Sequence, residues 1–579
     1  MDKQISILYD IDIPTRDGVL LRANVFGPAD DEPYPAILIL FPYLKDAFEF
    51  KWGRFNPLPI AAAGYRVVMT DCRGTGHSQG EMDFDAPCQS KDGYDAVEWI
   101  AAQPWSDGNI CMYGFSYFGF TQLLTGQTQP PHLKAICPWQ QTGLYKYSGG
   151  FTTGPLHLSW LLERTRDRLL SPECTTDPTE KKRMLEQVSY YLEHFVETAM
   201  FMPEAENPAA NIDGIPFLAD YSRRIREHDD PACPAREGRP VDFSKITIPC
   251  FFLGGWYDET SKNGPIENWM AISALPDGAS RLAHCKMLMG PWNHGTDMPA
   301  MVGCRNFGTQ AESPMGKSIT EHLIRWFDYH LKGIDNGLYE EPPIMIFEMG
   351  KNRWRYFDTW PVPGITQKSM YLHSDGNAGT VQNSGKLPET PGTDSSDIFV
   401  YDPRKPVPSR VPGVPSSECQ DQSPLEARED VLVYTSAVLE DELEVLGNVL
   451  VELYVSSSCP DTDFMCKVTE VFPNGFSVNI TDGAVRASYN NTYNRKFLQP
   501  GEIRKVLVDL GNTCNVFQKG SRIRLTVTGS NFPKFDRNHN TEMRIGACTQ
   551  PVPAQNTIYH GGGTPSRLIL PILPKEMSV

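Results

Sequence analysis

A serine hydroxyl attacks a carbonyl only when a base takes its proton, and the resulting imidazolium needs a carboxylate behind it. The chain offers those three residue types in one order. Ser116 lies in CMYGFSYFGF (111–120), where a strand-like run meets a helix-like one. Asp258 ends the apolar run CFFLGGWYD, and His294 ends CKMLMGPWNH. Serine, acid and histidine thus all fall at the C-terminal ends of strand-like segments. Glu259 adjoins Asp258, and the strand-end register favours Asp258. Other histidines are poorer candidates: His194, His322 and His330 fall in helical stretches, His77 in a Gly-rich turn, and His373, His539 and His560 in the C-terminal half.

An oxyanion needs two donors held where charge develops. The N–H of Tyr117, directly after the serine, is the expected first one. FPYLK (41–45) follows an apolar run and supplies the second, through its backbone or through the phenol of Tyr43; packing of an aromatic at a loop is the plainer reading. Trp139, Trp160, Trp256 and Trp292 are candidates to line an apolar acyl pocket, against the simpler assignment of tryptophan to the core.

The elements that must carry these groups are legible. AILILF (36–41), YRVVMTD (65–71), NICMYG (109–114) and LKAICPW (133–139) are short apolar runs between turn residues, as in a buried parallel sheet. DGYDAVEWIAAQP between two of them has helical spacing. The alternation resumes at 248–258 and 285–294 and closes with SITEHLIRWFDYHLKG (318–333), where Leu323, Phe327 and Leu331 form one stripe. The reading is an α/β domain in two parts, 1–140 and 245–345, around a helical insert at 141–244. In that insert Asp177 is an N-cap, Pro178 the first helical residue and Glu180 the partner in a capping box, with Met184, Val188, Tyr191 and Phe195 facing inward. Such an insert is expected to cap the site. From 346 to 579 a Pro/Gly/Ser-rich stretch precedes strict alternation (Val449, Val451, Leu453, Val455; Ile523, Leu525, Val527), which reads as a β-sandwich.

Composition sets the outer bounds. Hydrophobic residues at 40% and charged residues at 21% describe a globular protein, and a net charge of −18 without a Lys/Arg cluster argues against nucleic acid. No apolar run approaches the roughly 20 residues of a membrane span, and the opening MDKQISILYDIDIPTRDG lacks the apolar core of a signal peptide. Fourteen cysteines contain no C-x-x-C pair, and Cys111, Cys137 and Cys250 sit in apolar runs, so free buried thiols and a cytoplasmic location are expected. RGTGHSQG lacks the ending of a phosphate loop and reads as turn structure, with Arg73 in an internal ion pair. Two aspartates in DTDF (461–464) do not make a calcium loop, and no H-E-x-x-H occurs; no metal and no cofactor are expected.

The chain resembles the CocE/NonD acyl esterases, relatives of the Xaa-Pro dipeptidyl-peptidases and α-amino acid ester hydrolases. The resemblance rests on PYLK (42–45), DCRGTGHSQG (71–80), the segment 92–119, GGWYD (254–258), GPWNH (290–294), HLIRWFDYHLKG (322–333), DTDFMCKVTEVFPNG (461–475) and SRIRLTVTGSNFPKFDRN (521–538). GFSYFG fits the family's elbow G-x-S-Y-x-G, in which the second glycine stands one place later than in most α/β-hydrolases. The resemblance implies an α/β-hydrolase with a helical cap and a C-terminal jelly roll, and a serine hydrolase acting on esters or amides through an acyl-enzyme. It assigns Ser116, Asp258 and His294 to the triad, and Tyr43 and the Tyr117 amide to the oxyanion. A small-molecule ester or amide is the expected partner, with no nucleic acid and no membrane; a homo-oligomer stays open. Peptidase action, aminoacyl-ester hydrolysis and acyl transfer use the same residues. For aminoacyl esters the acids Asp220, Asp229 and Asp230 would have to gather in the cap.

Overall fold

Strands covered on both faces read as unbroken apolar runs, and here those runs form the middle of a ten-stranded sheet. The computed structural model describes residues 4–47, 56–82, 87–141, 143, 154–171, 174, 176–227, 241–295, 298–376, 378–379, 384–411, 419–490 and 494–574. Its first strands are β1 (Ile5–Pro14), β2 (Leu20–Pro28), β3 (Tyr34–Phe41) and β4 (Arg66–Asp71). β5 (Ser106–Phe115), β6 (Leu133–Trp139), β7 (Phe251–Tyr257) and β8 (Lys286–Asn293) follow, in the spatial order β1-β2-β4-β3-β5-β6-β7-β8. β1, β2 and β4 pair antiparallel, and every neighbour from β4 to β8 is parallel. Ile37, Ile39 and Phe41 of β3 enter one core while Leu38 and Leu40 enter the other, as the two-residue period of a strand requires. This is the expected α/β-hydrolase sheet.

The sheet runs further than expected at both ends. β1 forms an antiparallel edge on β2, and its half-exposed pattern is a weaker signal than a buried run. Ile344–Glu348 pairs parallel with β8, and Arg353–Phe357 pairs antiparallel with Ile344–Glu348. A boundary between 345 and 346 therefore cuts a strand of the large sheet, because the short run IMIFE carries no flanking helix to mark it. The helix Ile319–Lys332 behaves as expected. Ser318 and Glu321 make its capping box, Gly333 ends it in the left-handed region, and Leu323, Trp326, Phe327 and Leu331 are buried. Truncating a side chain such as Phe327 there costs about 3–5 kcal/mol.

The cap consists of helices Gly154–Leu170, Pro178–Glu193, Phe195–Ala199 and Pro216–Glu227 around their own apolar cluster. Asp177 caps its helix, accepting from the N–H groups of Thr179 at 2.9 Å and Glu180 at 3.2 Å. Glu180 does not close a capping box; it pairs with Arg183, whose guanidinium offers a stronger, charged partner. The helix stops at His194 (φ −106°, ψ 36°), so Met184 and Val188 are buried while Tyr191 and Phe195 are only partly covered. Arg223 pairs with Asp220 on the cap surface, and Asp229 and Asp230 lie outside the described residues.

The C-terminal region is a sandwich. Leu443–Ser457, Arg504–Phe517, Ala554–His560, Arg567–Ile572, Thr366–Tyr371 and Ser395–Tyr401 form one sheet. Val431–Thr435, Arg522–Thr528, Asp463–Val471 and Ser477–Arg486, with Gly385–Lys386, form the other. The alternating residues meet between them: Val451, Leu453, Val455, Ile523, Leu525 and Val527 are each 0% exposed.

Candidate active site

β5 delivers Ser116 at its end, where the chain turns into the helix Tyr117–Gly126. The turn is sharp: Ser116 has φ 55° and ψ −128°, a conformation that L-residues rarely hold and that recurs at functional sites. Two glycines make room for it. A Cβ on Gly114 would lie 2.2 Å from the Phe118 ring, and one on Gly119 would lie 2.8 Å from the Trp139 carbonyl oxygen. The displaced glycine of the elbow therefore serves the close approach of helix to β6.

β7 and β8 bring the other two groups alongside. His294 Nε2 is 2.9 Å from Ser116 Oγ, and Nδ1 is 3.1 Å from both carboxylate oxygens of Asp258. The carboxylate facing Nδ1 assigns the ring proton there, which leaves the Nε2 lone pair toward the serine hydroxyl. Asp258 is 1% exposed. Its Oδ1 accepts from the N–H groups of Thr260 and Ser261 at 2.9 Å and from the Thr260 hydroxyl at 2.8 Å, and its Oδ2 accepts from the Ser261 hydroxyl at 2.9 Å. Burial opposes the charge on Asp258, but His294 and these donors outweigh it and hold the carboxyl below its ordinary value. For His294 burial likewise works against the cation, and the charge and hydrogen bond of Asp258 lift the imidazole above its ordinary value.

Tyr43, 3% exposed, stands in the loop after β3 with its phenol in polar contact with Ser116 and Trp160. Tyr117 is the first residue of its helix, where N–H groups have no intrahelical acceptor. A serine hydroxyl, an imidazole, a carboxylate and a phenol are thus brought together at four strand ends.

Comparison with known proteins identifies the family. Residues 17–296 match the X-Pro dipeptidyl-peptidase (S15) family, and residues 336–569 match the X-Pro dipeptidyl-peptidase C-terminal non-catalytic domain. A cocaine esterase from Rhodococcus sp. (strain MB1 Bresler) is 33% identical over 99% of this chain and 100% of its own. The chain belongs to the CocE/NonD esterases of the S15 family. It is a serine hydrolase. The α-amino acid ester hydrolase structure shares its fold, with a TM-score of 0.80 at 21% identity over 99% of this chain and 97% of that one. So does an aminopeptidase from a marine sediment Thaumarchaeota archaeon, with a TM-score of 0.81 at 22% identity over the same shares.

The expected tryptophans separate in this CocE/NonD enzyme. Trp160 stands beside the site, 6.4 Å from the Tyr43 ring and 6.0 Å from the Tyr117 ring. Trp256 and Trp292 do not line a pocket: they are 1% and 0% exposed, and their indole N–H groups donate to the carbonyls of Phe347 and Ala311. Trp139, 2% exposed, packs below the elbow against Phe115, while its carbonyl accepts the Ser116 N–H at 2.9 Å.

Other motifs resolve as internal structure. Arg73 pairs with buried Asp92 at 2.6 Å and with Asp17 at 2.9 Å, so RGTGHSQG is a braced turn. In DTDF, Asp463 binds Arg486 at 2.8 Å. Asp10, Asp46 and His77 converge closely enough to ligate a metal, but the Lys45 ammonium sits among them, 2.7 Å from Asp10 and 3.0 Å from Asp46.

Several residues at the site escaped the sequence reading. Gln140, directly after β6, is 0% exposed with φ 48°, and its carbonyl accepts the Ser261 hydroxyl at 2.6 Å. Thr260 and Ser261 buttress Asp258, and Arg164 from the cap lies over Tyr43 with its guanidinium carbon 4.4 Å from the ring centroid. The one available signal was the spacing of Trp160 and Arg164, which share a helix face.

Proposed function

We propose that this chain hydrolyses esters of small molecules through a Ser116 acyl-enzyme. In this reading His294 takes the Ser116 proton as the hydroxyl attacks the ester carbonyl, then hands it to the departing alcohol. Asp258 holds the imidazole in the tautomer that permits this and stabilises the imidazolium. The Tyr43 phenol and the Tyr117 N–H hold the oxyanion in both tetrahedral intermediates, and water, activated by His294, releases the acid. The observation that carries the reading is the unbroken contact from Ser116 Oγ to His294 Nε2 at 2.9 Å and from Nδ1 to a buried carboxylate.

An apolar, ring-bearing acyl group is the substrate class we favour. Support comes from Trp160, whose ring lies 6.0 Å from Tyr117 and 5.4 Å from His157, and from a full-length relative named for cocaine. Aminoacyl-ester recognition would need a carboxylate free to meet an ammonium, and Asp220 is already engaged by Arg223. Cytoplasmic residence is our reading of the thiols: Cys304 and Cys419 lie with Sγ atoms 4.0 Å apart, unbridged. No helix among the described residues is long and apolar enough to cross a membrane.

The test is the intact mass of the native chain and of Ser116→Ala after exposure to a fluorophosphonate. One adduct on the native chain and none on the variant is the expected result. An adduct that persists on Ser116→Ala would remove Ser116 from its role.

A further inference from the structure

Tyr43 is enclosed from two sides. Phe41 and Phe118 of the hydrolase domain present near-perpendicular rings at centroid distances of 5.5 and 5.8 Å. From the cap helix Gly154–Leu170, Trp160 stands edge-on at 6.4 Å, and Arg164, one turn later, lays its guanidinium carbon 4.4 Å from the ring centroid. Leu158, Leu161 and Leu162 of the same helix are buried in the cap core, and Trp160 packs against both that core and the cluster holding Tyr43.

Arg164 is 5% exposed. Its Nη1 lies 2.7 Å from Asp167 and its Nη2 lies 3.4 Å from Glu163, while Nε is buried without a hydrogen-bond acceptor among the described residues. A guanidinium taken out of water is costly unless its charge is answered. The electron-rich face of Tyr43 supplies the answer that the carboxylates leave incomplete.

We propose that Arg164 is a positioning residue for the oxyanion hole, acting through Tyr43: it fixes the ring and makes the phenol a stronger hydrogen-bond donor. The inference rests on Tyr43 being an oxyanion donor. As the phenol shares its proton with the alkoxide, negative charge moves onto the phenol oxygen and ring, and a cation against the ring stabilises that shift. Arg164 and Tyr43 are both buried, so the interaction between them is weakly screened. Because the charge develops only in the transition state, the effect falls on kcat and not on KM. The titratable groups around Tyr43 are Arg164 from the cap and Cys72 from the loop after β4, with Asp167 and Glu163 behind Arg164 and His294 beyond Ser116. Burial raises the phenol above its ordinary value, and Arg164 pulls against it.

The experiment places 3-fluorotyrosine at position 43 of the full chain and follows its ionisation by 19F NMR, alongside kinetics with p-nitrophenyl acetate. Arg164→Met is expected to raise the phenol pKa by about one unit and to lower kcat about tenfold with KM nearly unchanged. Arg164→Lys, which keeps the cation, should restore both. Should the methionine variant fail to fold, Arg164→Gln reads the same quantities. An unmoved 19F titration in the neutral variants, whatever their rates, overturns the proposal and leaves Arg164 as cap packing. Failure of the underlying site reading looks different: Ser116→Ala or Tyr43→Phe would then retain the native rate.

Discussion

The side chain of Gln140 grips the backbone on both sides of His294. Its Nε2 donates to the Asn293 carbonyl at 2.7 Å and its Oε1 accepts the Gly295 N–H at 2.9 Å. Its own carbonyl lies 2.6 Å from the Ser261 hydroxyl, whose single proton is shared between it and Asp258 Oδ2 at 2.9 Å. One residue thus ties the backbone around His294 to the Ser261 side chain beside Asp258. Gln140→Ala should lower kcat/KM about 100-fold, as a misplacement of reacting groups by about 1 Å does, while the melting temperature changes by only a few degrees. Steady-state kinetics beside thermal melts would check this; a variant with native kinetics would refute it.

Since Asp258 lifts His294 above the ordinary imidazole value of 6.5, the acid limb of kcat/KM against pH should lie above 6.5. Activity requires the neutral imidazole and is therefore lost as pH falls through that raised value. Asp258→Asn removes the charge that stabilises the imidazolium. Its residual activity, about 10⁴-fold lower, should show the acid limb moved to lower pH. A limb that stays in place would show that the coupling is absent.

Tyr43→Phe deletes a single hydroxyl from a buried ring and leaves the packing with Phe41, Phe118 and Trp160 in place. A loss of about 10²–10³ in kcat with little change in KM is expected for one oxyanion donor. A fall confined to KM would make Tyr43 a substrate-binding group instead.

Between cap and sandwich, His539 Nε2 lies 2.9 Å from Glu204 Oε1. Burial opposes the imidazolium there, but contacts with Cys548 and Glu204 prevail and push His539 up from 6.5 to about 9. A folded-state pKa above the unfolded one means stability that is fully present below pH 6.5 and lost as pH rises through about 9. Thermal melts between pH 6 and 10 should show the native chain losing up to about 3 kcal/mol more than His539→Gln over that window. Parallel curves would refute the linkage.

How far the sequence carried depended on where each signal came from. β3, β4, β6 and β7 were legible because burial on both faces writes itself as an unbroken apolar run. The serine, acid and histidine were legible because each must stand at the end of such a run. Gln140, Thr260, Ser261 and Arg164 are ordinary polar types with no local pattern; their roles arise when loops far apart in the chain meet. Trp256 and Trp292 misled for the converse reason. Both indole N–H groups find a backbone carbonyl inside the core, Phe347 for Trp256 and Ala311 for Trp292.

The segment carrying Asp258 is tied to the sandwich on both sides of the acid. Tyr257 donates to the Asn479 carbonyl at 2.9 Å, Arg410 pairs with Glu259, and the Lys262 ammonium reaches the Leu510 carbonyl at 2.8 Å. On the ribosome, Ser116 and the cap emerge hundreds of residues before these anchors do. A nascent chain therefore carries Ser116 long before the sandwich contacts that brace the Asp258 segment can form.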